Sequence, residues 1–192
     1  MKFQAILIAA LSATGLTSPV PEAQAKPKFV QAYTLRLSSR TPSLDGKPLT
    51  ISNTTLGIFP SSSPALPKFY PIRNPQTNLL ELHSPSSSTT LALVGTHGLL
   101  SLSALPNPAA VTVPTGTTLD WQNFDLSEDD AAGSLTYAGS SKQGSWVAFP
   151  VGSKGQAGEE WAVKWKDVTA TTIQNYIPVK VVYEVVEGFT TT

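Results

Sequence analysis

Cysteine is absent from the 192 residues. That excludes disulfides, thiol catalysis, cysteine-ligated zinc and iron–sulfur clusters together. Histidine is nearly absent as well, with only His83 and His97, so a histidine-rich metal site is excluded. Charge is scarce: 14% of residues are Asp, Glu, Lys or Arg, against roughly 25% in ordinary domains. The 13 basic and 13 acidic residues cancel, which leaves no electrostatic footprint for nucleic acid or an anionic membrane surface. No glycine-rich phosphate loop occurs, and no apolar run reaches the about 20 residues that a membrane-spanning helix needs. No metal or other cofactor is expected.

What the chain has in quantity is serine, threonine and proline, the last 16 times. With 41% apolar residues, this is the composition of one strand-rich, loop-rich extracellular domain. The N-terminus agrees with export. Met1-Lys2 precedes an apolar run at 3–11, and Ala23-Gln24-Ala25 offers the small-x-small pattern of a signal-peptidase site. The expected organisation is a signal peptide over 1–25 and a single all-β domain over 26–192. Asn53-Thr54-Thr55 is a glycosylation acceptor, placed where a secreted chain would use it.

Period-two alternation predicts about eleven short strands, among them 33–37, 55–59, 79–83, 90–94, 99–103, 119–124, 134–137, 145–149, 161–166 and 178–186. The clearest is Trp161-Ala162-Val163-Lys164-Trp165-Lys166, with Trp161, Val163 and Trp165 inward and the lysines outward. So many strands suggest an antiparallel β-barrel or β-sandwich, because an open sheet would leave long edges exposed. A β-trefoil is the alternative. Segments 60–67, 84–88 and 152–158, rich in Pro, Ser and Gly, read as loops.

Chemistry is harder to find than architecture. His97 sits in Gly95-Thr96-His97-Gly98, a tight turn with no G-x-S-x-G elbow elsewhere to make a hydrolase triad. His83 ends an apolar strand and reads as structural. Asp120, Asp125, Glu128, Asp129 and Asp130 lie beside Trp121 and Phe124, and paired carboxylates near an aromatic platform are what a glycosidase uses. The same acids also suit a solvated turn or the first turn of a short helix, which is the simpler reading. Trp121 and Trp146 are the tryptophans free to be exposed and to stack on sugar rings.

Segments 33–59 and 79–103, with Leu135-Thr136-Tyr137, follow an order of elements that resembles the phialide-associated cell-wall protein (PhiA-like) family of secreted fungal proteins. In the first segment, Ser39-Arg40-Thr41-Pro42 follows one strand and Leu56-Gly57-Ile58 closes the next. The resemblance implies an exported, non-catalytic wall or surface protein. Asn74-Pro75-Gln76-Thr77-Asn78 is similar to the Asn-Pro-Thr-Thr-Gly loop of chagasin-type inhibitors of papain-like proteases, with Asn78 in place of the final glycine. This likeness implies a rigid loop that plugs a protease cleft, although Asn-Pro also marks ordinary turns.

The expected function is therefore loop-mediated, non-enzymatic binding by a secreted, fungal-type protein. Its partner would be an extracellular protein such as a host protease, or a cell-wall polysaccharide. Candidate binding residues are Asn74, Pro75, Gln76, Thr77 and Asn78 in one loop, Pro60, Ser62, Pro64 and Leu66 in another, and Trp121 and Trp146. The alternatives are an inhibitor of an extracellular papain-like protease and a small carbohydrate-binding or carbohydrate-active protein.

Overall fold

A computed structural model describes residues 28–60, 66–127, 133–139, 143–152 and 160–191. Within them lie β1 (Lys28–Ser38), β2 (Thr50–Ser52), β3 (Thr55–Ile58), β4 (Tyr70–Arg73), β5 (Leu80–His83), β6 (Thr89–Thr96) and β7 (Leu99–Pro106). A 3-10 turn at Pro108–Ala110 precedes β8 (Thr117–Asp120), β9 (Phe124–Ser127), β10 (Ser134–Tyr137), β11 (Gly144–Pro150), β12 (Trp161–Asp167), β13 (Ile177–Pro178) and β14 (Lys180–Thr191). The protein is all-β, and every strand pairing is antiparallel.

The 14 strands form one connected sheet, in the order β1-β14-β10-β9-β5-β6-β7-β3-β12-β11-β13, with β2, β4 and β8 attached to the side. That path has two ends, so the sheet is not closed into the barrel that the strand count suggested. The two ends of the path differ. β13 leads through Val179 straight into β14, and the Val179 N–H donates to the Trp146 carbonyl at 3.0 Å. At the other end, β1 is laced to the segment before β4 by paired backbone hydrogen bonds between Tyr33 and Phe69, at 2.7 and 2.9 Å. Ladder groups at the β1 end thus find partners within the chain, whereas the Val179 bond extends the β13–β11 pairing.

Alternation explains which residues go inside. Leu35 and Leu37 of β1, Leu91 and Leu93 of β6 and Leu100 and Leu102 of β7 are buried together, each worth about 1.5–3 kcal/mol of apolar burial. Through them runs a line of edge-to-face rings. Phe124 and Tyr137 have centroids 6.3 Å apart, Tyr137 and Trp165 5.5 Å, and Trp165 and Trp146 5.2 Å. Trp146 and Trp165 meet because they are register partners across β11 and β12. Val163 and Trp165 are buried as expected, whereas Trp161 is half-buried. The two lysines of β12 are also half-buried. Lys164 Nζ lies 5.1 Å from the Phe149 ring centre and Lys166 Nζ 5.8 Å from that of Tyr176, and burial lowers the Lys164 pKa.

Two hairpins close with two-residue turns at positive φ, Asn53-Thr54 (47° and 76°) and His97-Gly98 (52° and 72°). Such turns match the twist of paired strands. His97 is a turn residue, as its sequence setting suggested. The strand expected at 119–124 instead breaks at Trp121-Gln122-Asn123, between β8 and β9. Asp120 Oδ1 accepts the Gln122 N–H at 3.1 Å, and a side chain that caps its own backbone two residues on turns the chain.

Candidate functional site: a polar groove at the end of β5

Three connections meet at one end of the sheet: the β5–β6 loop at 84–88, the 3-10 turn, and the β8–β9 bend. They border a groove of about 710 Å³, within the roughly 300–1,000 Å³ of small-ligand sites. Glu81 and His83 line it from β5, on one face because they are two residues apart. Tyr70, the register partner of His83 in β4, adds its ring 5.8 Å from the imidazole. The β5–β6 loop is tied across its base by the Ser84 N–H donating to the Thr89 carbonyl at 2.8 Å.

A hydrogen-bonded relay fixes the polar side chains. His83 Nε2 lies 2.9 Å from Glu81 Oε2, and since a carboxylate only accepts, the imidazole carries its proton on Nε2. The Thr90 hydroxyl is hydrogen-bonded to His83 Nδ1 at 3.2 Å. Glu81 Oε1 accepts the Gln122 side-chain N–H at 2.9 Å, which joins β5 to the β8–β9 bend. Both oxygens of Glu81 are therefore engaged.

The bend is anchored from below. Asp120 Oδ2 accepts from Asn123 Nδ2 at 2.7 Å and from the Tyr137 hydroxyl at 2.7 Å. Burial, and then the Asp120 carboxylate beside it, push the Tyr137 phenol well above its ordinary pKa. Trp121, half-buried on this bend, lines the groove, so its ring projects from a backbone that the core holds still. Chemically the site offers donors and acceptors already oriented by one another, beside an indole.

The predicted residues are dispersed rather than gathered here. Trp121 alone of them lines the groove. Trp146 is not exposed: it retains 4% of its surface and its indole N–H donates to the Leu135 carbonyl at 2.6 Å. Its position opposite Trp165 in the ladder turns it inward, which corrects its assignment as a binding residue. Asn74, Pro75, Gln76, Thr77 and Asn78 form the β4–β5 turn, at the far end of β5 from the groove. There Asn74 Oδ1 accepts the Gln76 and Thr77 N–H groups at 2.9 and 3.3 Å. Arg73 Nη1 donates to the Asn78 carbonyl at 2.7 Å, and Asn78 takes the left-handed conformation, with φ 61°.

Pro60 is exposed and Leu66 half-buried. Ser62 and Pro64 fall outside the described residues, as do Glu128, Asp129, Asp130, most of 152–158 and the segment 1–25 that is expected to be a signal peptide. Asn53 is exposed on its hairpin turn. Asp120 is committed to the bend and Asp125 is half-buried on β9. Among the described residues no His, Asp and Glu cluster of three or more is placed to hold a metal ion, and no helix is long and apolar enough to cross a membrane.

Sequence reading missed Tyr70, Glu81 and Gln122 as site residues. Glu81, on β5, and Gln122, in the β8–β9 bend, are 41 positions apart, and no local pattern brings them together. The one usable signal was the Ser-rich segment 84–88 next to His83. Compared with known proteins, the chain matches no family model, no curated protein and no solved structure.

Proposed function

We propose that this is a secreted, non-enzymatic extracellular protein that binds its partner through loops, as a wall or surface protein or as an effector. The observation that supports this reading is the convergence of three separate connections on one groove whose polar groups already hold one another. Sites of this kind lose little entropy on docking. The engagement of both Glu81 oxygens and both Asp120 oxygens favours binding over proton transfer. The small-x-small site before Lys26 and the PhiA-like order of elements support export.

The test is capture. The protein as secreted is immobilised and exposed to host extracellular fluid and to wall polysaccharide, and retained material is identified by mass spectrometry. Retention that disappears when 84–88 is replaced by glycine and serine supports the reading. Equal retention by parent and variant, or none by either, overturns it.

A second reading has its own observation. The turn at 74–78 is exposed, proline-bearing and braced on both sides by Asn74 and Arg73, as a loop that enters a protease cleft must be. It is tested by titrating papain-type peptide hydrolysis with the protein. No inhibition at micromolar concentration against several such enzymes removes it.

A further inference from the structure

We propose that the groove beside Trp121 is a subsite for an uncharged, hydroxyl-rich sugar ring. This rests on the reading of the groove as the binding surface and adds the chemical class of the ligand.

The lining selects that class by elimination and by fit. Among the described residues that line the groove there is no Lys or Arg, and the imidazole of His83 is already paired with Glu81, so a phosphate, sulfate or carboxylate ligand would lose its hydration without gaining a free counter-charge. The lining carboxylate, Glu81, already accepts from His83 and Gln122. A cationic ligand would meet only this one carboxylate, its charge already shared between two donors. A purely apolar ligand fits no better, because the lining includes the serine run at 84 and 86–88, whose hydroxyls pair locally as Ser84 with Ser86 and Ser87 with Thr89 and would lose their remaining bonds to water.

A pyranose meets each requirement. It has an apolar C–H face that packs on an indole and a perimeter of hydroxyls that both donate and accept. Trp121 supplies the indole, and Tyr70, packed against His83 and Phe189, is a second aromatic residue of the lining. Around them stand hydroxyls, which can reverse donor and acceptor roles as a sugar hydroxyl demands, and the Gln122 amide, whose NH2 donates to Glu81 and whose oxygen is an acceptor. The volume of about 710 Å³ admits more than one ring, which suits an oligosaccharide better than a free monosaccharide. Pinning of the bend by Tyr137 and Asp120 at 2.7 Å means that the stacking surface is present before the ligand arrives, so little is lost in forming it.

The experiment is titration of the secreted protein with short neutral oligosaccharides of β-glucan, chitin and mannan type. Binding is followed by calorimetry and by the tryptophan indole N–H signals in NMR, with a sulfated oligosaccharide as the charged control. The expected result is salt-independent binding of at least one neutral series, with the Trp121 indole signal moving. Trp121→Ala weakens it about tenfold or more, as loss of a central aromatic contact does. Trp121→Phe retains most of the affinity, and Gln122→Ala weakens it less than Trp121→Ala. Unchanged thermal melting shows that these variants are folded.

Sugar binding that survives Trp121→Ala in full overturns the assignment, and so does preference for the sulfated control. If no sugar binds while an extracellular protein is captured and lost on replacing 84–88, the groove serves a protein. The sugar inference then fails and the loop-binding reading stands. If neither binds, both fail.

Discussion

The Tyr137 hydroxyl joins two parts of the molecule that have different tasks. Its ring belongs to the aromatic line of the core, and its O–H donates at 2.7 Å to Asp120, which starts the β8–β9 bend that carries Trp121. A hydrogen bond to an ionised carboxylate contributes about 1.5–3 kcal/mol, so Tyr137→Phe should lower unfolding free energy by that amount in urea titrations. It should also loosen the Trp121 bend, seen as faster amide exchange at 121–123. The same residue predicts an alkaline response. Burial and Asp120 hold the folded phenol protonated, whereas in the unfolded chain it ionises near the ordinary tyrosine value of about 10. Above that pH the unfolded state binds fewer protons than the native one, so stability falls as pH rises. Melting temperatures followed from neutral pH to above pH 10 should decline more steeply in the parent than in Tyr137→Phe. Parallel curves would show that this phenol does not report on the fold.

At the scale of elements, the β11–β12 ladder decides how the tryptophans are used. Trp146 and Trp165 are opposite each other in register and keep 4% and 5% of their surface. Trp146→Ala and Trp165→Ala should each cost about 3–5 kcal/mol. Trp161, at the half-buried end of the same strand, should cost about half as much on the same cavity argument. Denaturant midpoints measured at constant m-value would show this order, and a loss below about 1 kcal/mol for Trp146 or Trp165 would mean the ring is not part of the core. The β4–β5 turn behaves differently, because its order is local. Pro75→Gly adds unfolded-chain entropy and should lower stability by only about 0.4–1 kcal/mol. In the protease assay the same change should weaken any inhibition by at least a comparable amount.

For the molecule as a whole, export and exposure make joint predictions. Material secreted by a eukaryotic host should begin near Lys26 and carry a glycan on Asn53, which stands exposed at the tip of the β2–β3 hairpin. N-terminal sequencing and the mass change on enzymatic deglycosylation check both. A secreted product that begins at Met1 would end the export reading. An aglycosyl mass would remove Asn53 from the modified sites. Without cysteine, the fold rests on its apolar core and its ladders alone. The burial of leucines from β1, β6 and β7 in one cluster is what a disulfide-free domain of this size requires.

All-β architecture, most strand positions, the 84–88 hairpin loop and the His97 turn were legible in the sequence, because alternation and turn chemistry are local properties of neighbouring residues. Pro71 hid β4, and the Asx turn at Asp120 broke a strand that alternation had drawn as continuous. Strand order decided the rest. Pairing within the sheet, not composition, left the path open at β1 and β13 and turned Trp146 inward. It also brought Gln122 within 2.9 Å of Glu81. Contacts of that kind join residues far apart in the chain, and a local pattern carries no information about which distant strand will supply the partner.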